Sequence, residues 1–187
     1  MNVYDFDGTI YNGDSTIDFY LYCLKSDLRL LRFLPKQAYG FIRYGLKKID
    51  KTALKESFFC FLCGVQNVGE KVNAFWGKYS GRIYPWYLEQ AQATDIVISA
   101  SPYFLLKPLC DELQISDLIA SDVDMANGHF HSANCRSTEK VTRFAERHCG
   151  EAIDAFYSDS LSDQPMADIA QSAFLVKKGV VQPWDKR

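Results

Sequence analysis

Short continuous apolar runs alternate along this chain with longer stretches in which apolar residues recur every three or four positions. The pattern predicts a first strand over residues 2–6 and a second over 95–98, where Asp95-Ile96-Val97-Ile98 runs into Ser99-Ala100-Ser101-Pro102. A continuous apolar run of this kind suits a parallel strand covered on both faces. Further strands are predicted over 118–120, 155–157 and 173–176. Helices are predicted over 103–113, 138–148 and 166–171, with Thr138 as a cap and Gly150 as a stop. Asn127-Gly128, within 122–131, signals a hairpin with a type I′ turn. Strands alternating with helices give an α/β protein with a Rossmann-like, doubly wound, mostly parallel sheet. Residues 16–92 are mostly helical in pattern, with breaks at Pro35, Gly64 and Gly81. That is far more than one crossover helix requires. The expectation is a core of residues 1–12 and 83–187, with a helical cap, residues 13–82, inserted between the first and second core strands.

Composition places the chain among ordinary globular proteins: 187 residues, 48% hydrophobic and 24% charged, with a formal charge of −2. That balance gives no reason to expect nucleic acid as a partner. It conceals an asymmetry, because residues 25–55 hold nine Lys/Arg against two acids and the remainder holds twelve against twenty-one. Arg29, Arg32, Lys36, Arg43 and Lys47 would align along one helix, although Pro35 interrupts it. Two readings of the block stand: solvated helix faces, or a surface for an anionic substrate or a peripheral contact with an acidic membrane. Six cysteines in mostly apolar surroundings, with no secretory leader ahead of the first strand, predict a reduced, cytoplasmic protein. Cys60-x-x-Cys63 reads as buried helical cysteines rather than a metal or redox pair.

Asp5-Phe6-Asp7-Gly8-Thr9 changes the picture. In extended chain Asp5 and Asp7 point the same way while Phe6 faces the interior. Two crowded carboxylates repel unless a cation lies between them. Ligands of open parallel sheets bind beyond the carboxyl ends of the strands. Asp5 with Asp7, Ser99 with Ser101, Lys140, and Asp159 with Asp163 all fall at or beside such ends. One pocket of four carboxylates, a hydroxyl and an ammonium suits a hard divalent cation together with a phosphate.

These segments, in this order, resemble the haloacid dehalogenase-like (HAD) hydrolases over nearly the whole chain. Ser99-Ala100-Ser101-Pro102, the Asn127-Gly128 hairpin, Glu139-Lys140-Val141 and Ser158-Asp159-Ser160-Leu161-Ser162-Asp163 look most like the phosphoserine phosphatase-like branch. The resemblance implies that Asp5 attacks phosphorus and forms an aspartyl-phosphate, while Asp7 acts as acid and then base. It implies Mg²⁺ held by Asp5, Asp7 (through its backbone carbonyl) and Asp159, with Ser99 and Lys140 gripping the phosphoryl oxygens. Asp163 would support the metal shell indirectly. The implied substrate is a small phosphate monoester, a phosphoserine-like compound or a lipid headgroup phosphate. Phosphoryl transfer to an alcohol acceptor is the alternative reaction, and a non-enzymatic binding protein on a HAD scaffold is the third reading. Ser99-Ala100-Ser101 departs from the Ser-Gly-Gly of phosphoserine phosphatases, and no cap arginine matches theirs.

Blander roles stand beside some of these. Asp163 can cap the helix before Pro165, and Ser101, preceding Pro102, reads as a helix cap. Asp14 can meet a substrate amine or cap the helix that follows. His129 and His131 read as exposed strand histidines sharing a face, and His148 only as a favourable helix-end residue. The aromatics from Phe58 to Tyr87 read as packing within the cap and against the core.

Overall fold

The computed structural model describes residues 1–115 and 117–185. The chain enters a sheet at β1 (Asn2–Tyr4) and returns at β2 (Ile96–Pro102), β3 (Asp117–Ser121), β4 (Ile153–Ser158), β5 (Ala170–Lys177) and β6 (Val180–Pro183). Across the sheet the order is β3-β2-β1-β4-β5-β6. Every neighbouring pair is parallel except β5 with β6. The order runs one way from β1 to β3 and the other way from β4 onward, so the topology reverses beside β1, where such sheets bind ligands.

Between β1 and β2 lie α1 (Ser15–Ser26), α2 (Leu34–Gly45), α3 (Lys51–Phe59), α4 (Val68–Tyr79) and α5 (Pro85–Gln90); the later helices are α6 (Tyr103–Glu112), α7 (Thr138–Arg147) and α8 (Gln164–Ile169). Aspartates start two of the inserted helices: Asp14 accepts from Ile17 N at 3.0 Å and Asp50 from Ala53 N at 2.8 Å. Such caps satisfy backbone donors that the first turn leaves free. Gly40 lets α2 and α3 meet, because a Cβ there would lie 2.4 Å from Ser57 Cβ.

Two apolar clusters cover the two faces of the sheet. Val3 packs with Ile96, Ile98, Phe144, Phe156 and Met166 on one side. Tyr4 packs on the other with Phe6, Phe19, Phe61, Phe75 and Trp76, so the inserted helices and the sheet share one core. Trp76 donates to Leu105 O at 2.6 Å across that boundary.

Several local expectations are corrected. β1 stops at Tyr4 rather than Phe6, because the Phe6 carbonyl accepts from Ile10 N (2.9 Å) and turns the chain. Asn127-Gly128 does not form a type I′ turn. Only Gly128 has positive φ, and residues 125–128 form a four-residue loop closed by Asp124 N to His129 O at 2.9 Å. The two-residue turn lies instead at Lys178-Gly179, with φ of 52° and 79°, and joins β5 to the unanticipated strand β6. Lysine is an uncommon first residue for such a turn, which hid it. Thr138 is the first residue of α7, not its cap; Ser137 precedes it at φ 53° and makes no side-chain cap bond. Pro35 stands in the first turn of α2, where its missing N–H costs nothing. The basic stripe is therefore divided: Arg29 and Arg32 lie in a 3₁₀ turn, Leu28–Phe33, Lys36 and Arg43 in α2, and Lys47 beyond the end of α2 at φ 54°. Cys60 is buried but Cys63 is exposed, both in the 3₁₀ turn Cys60–Gly64; all six cysteines are free. His129 and His131 are exposed but lie outside any strand, beside the lone bridge Val123–Phe130. His148 does more than end a helix, since its Nε2 lies 2.6 Å from Asp117 Oδ2.

Candidate active site

Asp5 leaves the sheet at the carboxyl end of β1 while its N–H still donates to Tyr157 O of β4 at 2.8 Å. Lys140, in the first turn of α7, is 2% exposed and places Nζ 2.8 Å from Asp5 Oδ1 and 2.7 Å from Asp163 Oδ2. Asp163 also accepts from Ser158 Oγ at 2.9 Å. Its side chain makes no cap bond to α8, so the capping alternative is not what this side chain does. One buried ammonium thus serves two buried carboxylates, and a negative charge is left over. Burial pushes the Asp5 carboxyl above the ordinary carboxylate range; Lys140 opposes this, while Asp163 and Asp7 add to it. For Lys140 burial works against the charge, but Asp5 and Asp163 outweigh it and hold the ammonium well above its ordinary value.

Asp7 sits at the N-terminus of α1, accepting from Ser15 N at 2.7 Å and from Ser101 Oγ at 2.5 Å. Ser101 also pairs with Thr16 Oγ1 at 3.1 Å. The expectation that Ser101 caps a helix is overturned: it lies in β2, and Pro102 precedes α6 without a side-chain cap bond. Burial and the Asp14 charge push the Asp7 carboxyl up, and the two serines hold it down; the net direction is upward. Ser99, 1% exposed, accepts from Ser101 N at 3.1 Å, which leaves its own proton to donate.

Asp159 follows β4 and packs against Gly8, where a Cβ would lie 2.4 Å from Asp159 Oδ2. Gly8 has φ +73°, so both the turn and the close approach need glycine. Burial raises the Asp159 carboxyl, and Lys177 counters it. Asp14 caps α1 and also borders the cavity.

Asp5, Asp7, Asp14, Ser99, Lys140, Asp159 and Asp163 all line one cavity of about 430 Å³. Among the described residues no three His, Cys, Asp or Glu side chains gather closely enough to hold a metal ion by themselves. A hydrated Mg²⁺ needs no such cluster, since it commonly takes one or two carboxylates beside water and substrate oxygens.

The cavity also holds side chains that sequence reasoning did not single out. Lys51, Lys55 and Arg136 line it, and Ile17, Phe41 and Leu54 add apolar lining. Lys55 Nζ donates to Ala100 O at 2.6 Å and Asn134 Oδ1 at 3.0 Å. Burial pushes its ammonium down to about 8, against the pull of Asp7 and Asp14. The four-residue spacing of Lys51 and Lys55 on an Asp50-capped helix was the available signal. Arg136 offered none.

A family model described as haloacid dehalogenase-like hydrolase matches residues 3–168. No curated protein sequence matches the chain significantly. Among solved structures, a protein with unknown function from Bordetella pertussis Tohama I is similar at TM-score 0.76 and 16% identity, covering 92% of this chain and 87% of that one. A phosphoserine phosphohydrolase-like protein from Francisella tularensis subsp. tularensis SCHU S4 has TM-score 0.58 and 16% identity, with coverages of 92% and 86%. A probable phosphoserine phosphatase from Vibrio cholerae has TM-score 0.62 and 11% identity; this chain spans 55% of its length. These likenesses establish the fold.

Proposed function

The chain belongs to the haloacid dehalogenase-like hydrolase family, and from that premise we propose that it is a Mg²⁺-dependent phosphomonoesterase working through an aspartyl-phosphate on Asp5. The observation that carries this reading is the convergence of Asp5, Asp7, Ser99, Lys140 and Asp159 on one cavity. Residues 13–82 are taken as the cap over a core of residues 1–12 and 83–187.

Asp5 Oδ attacks phosphorus as the bond to the leaving oxygen breaks, and Asp7 supplies the proton that oxygen needs. Asp7 then takes a proton from the water that cleaves the aspartyl-phosphate, releasing inorganic phosphate. A carboxyl held above its ordinary range suits both transfers near neutrality. Lys140 and the Ser99 hydroxyl hold phosphoryl oxygens as charge builds on them. Asp163 is a positioning residue that acts through Lys140. The oxygen donors Asp5, Asp159 and the Asp7 carbonyl fit Mg²⁺, and the space Gly8 leaves is filled by the Asp159 carboxylate. When bound, the ion offsets repulsion between phosphate and carboxylates.

Gly8→Ala is expected to cost about 1–2 kcal/mol through its left-handed backbone. By displacing Asp159 it should also raise the Mg²⁺ concentration for half-maximal turnover about tenfold or more. Melting curves and a Mg²⁺ titration read the two effects separately.

The rest of the cavity fits a monoester with an apolar body and a further anionic group facing Lys51, Lys55 and Arg136. A small phosphorylated metabolite and a lipid headgroup phosphate both answer that description. Lys55→Met is expected to raise KM about tenfold with kcat little changed. Ser121 Oγ lies 3.0 Å from both Ala100 O and Asn134 Oδ1, so its single proton can still serve one of the two abandoned acceptors. Because the Lys55 ammonium lies near 8, the wild-type KM should climb as pH rises through that value, and the variant should lack the climb. Initial rates between neutral and alkaline pH decide it.

The function itself is tested by phosphate release from an aryl phosphate. Turnover should appear with Mg²⁺ and vanish with a chelator. A phosphorylated alcohol formed when alcohols are added would replace hydrolysis by transfer. A folded protein with no release under any condition would leave only a binding role.

A further inference from the structure

Helix α2 has one face that the protein uses and one that it does not. On the inner face Gln37 accepts from Tyr20 Oη at 3.1 Å and donates to Phe58 O at 2.9 Å, and Gly40 meets Ser57. Opposite lie Pro35, Tyr39 and Ile42, spaced four and three, which on a helix form a single stripe, and Leu46, the residue capping the end of α2, continues it. Tyr39 is 61% exposed, Ile42 60% and Leu46 61%. The preceding 3₁₀ turn continues the apolar surface with Leu28 at 69% and Leu31 at 42%. Of seventeen large hydrophobics exposed among the described residues, eight fall between residues 28 and 46. Such a concentration marks an interaction site rather than the ordinary scatter of surface leucines.

The charge around the stripe selects the partner. No Asp or Glu occurs from Leu28 to Ile49. Arg29 is engaged by Asp27 at 2.9 Å. Arg32, Lys36, Arg43, Lys47 and Lys48 have no carboxylate within ion-pairing distance among the described residues. Instead Arg32 lies over the Phe33 ring at 4.9 Å and Arg43 over the Tyr39 ring at 5.7 Å, stems against apolar surface and heads toward water. A second copy docking isologously through this face would set five cations against five, so charge disfavours it. An anionic lipid surface takes both the apolar stripe and its basic flanks.

We propose that the outer face of α2, with the turn before it, docks peripherally on an anionic bilayer. The inference goes beyond the catalytic reading and does not need it. The two are adjacent, because Phe41 of the same helix lines the catalytic cavity, and docking therefore brings the cavity beside the lipid surface.

The test is sedimentation of the full chain with vesicles of phosphatidylcholine, alone or mixed with phosphatidylglycerol. The protein is expected to pellet with the mixed vesicles at low salt, to stay in solution with phosphatidylcholine alone, and to be released by high salt. Ile42→Glu, at a solvent-exposed position on the outer face, should weaken binding at least about tenfold. The double variant Lys36→Glu/Arg43→Glu should do the same. Ile42→Glu should keep wild-type turnover of an aryl phosphate, which shows that it is folded. Wild-type protein left in solution with anionic vesicles, or Ile42→Glu binding undiminished, overturns the proposal. So does a dimer that Ile42→Glu splits, since a second copy would then cover the face. Failure of aryl phosphate turnover in the wild type strikes the catalytic reading alone.

Discussion

Asp5→Asn is expected to eliminate aryl phosphate turnover, by a factor on the order of 10⁴ or more, in a protein that stays folded. The carboxamide keeps the size of the carboxylate and an oxygen toward Lys140, but it is no nucleophile. Stability should not suffer, because Asp5 and Asp163 share the single Lys140 ammonium. Removing one of the two carboxylate charges leaves a balanced buried pair. The pH dependence follows from the upward shift of Asp5, which burial causes. A carboxyl raised in the fold contributes stability that is fully present below its unfolded value and lost as pH rises through the folded value. Metal-free wild type should therefore lose stability relative to Asp5→Asn on going from mildly acidic to neutral pH. Melting curves of both proteins in chelator across that range read the difference. A variant that turns over at the wild-type rate removes Asp5 from its role; a flat difference with pH removes the electrostatic account.

Lys140→Met carries the larger cost to the fold. It strands Asp5 and Asp163, both almost fully buried, without their shared cation. Breaking a buried pair from one side costs about 3–5 kcal/mol, which for a chain of this size lowers Tm on the order of 10 °C. Turnover should fall by about 10³ or more, since the same ammonium holds the phosphoryl group. The double variant Lys140→Met/Asp163→Asn separates the two effects. It should recover much of the stability, measured by urea unfolding, and none of the activity. Recovery of activity with stability would make Lys140 a structural residue only.

The alternation of strands and helices was legible because the buried parallel strands are short continuous apolar runs, whereas the helices repeat apolar residues every three or four positions. β2 shows this best, since Ile96, Val97 and Ile98 are all buried between the two layers. Less legible were the turns. Lys178-Gly179 adopts the conformation that Asn127-Gly128 advertised, because pairing of β5 with β6 decides which glycine must take it. At Gly128 the backbone is pressed instead against Phe59, where a Cβ would lie 2.6 Å from the Phe59 carbonyl oxygen. Ser101 departs from its local signal for a similar reason. Its position before a proline at a helix start is a local fact, whereas its bond to Asp7 spans 94 residues.

From the order of residues alone came the class of fold, the paired acids after the first strand, and the polar clusters at the ends of the others. Folding decided which of those clusters touch. Lys140 reaches Asp5 across 135 residues and Asp163 across 23, and α3 brings Lys55 to a carbonyl of β2. It also decided which apolar residues of α2 stay uncovered. Periodicity is written into neighbouring residues, but contact and exposure depend on how separate elements pack, and no local pattern records that.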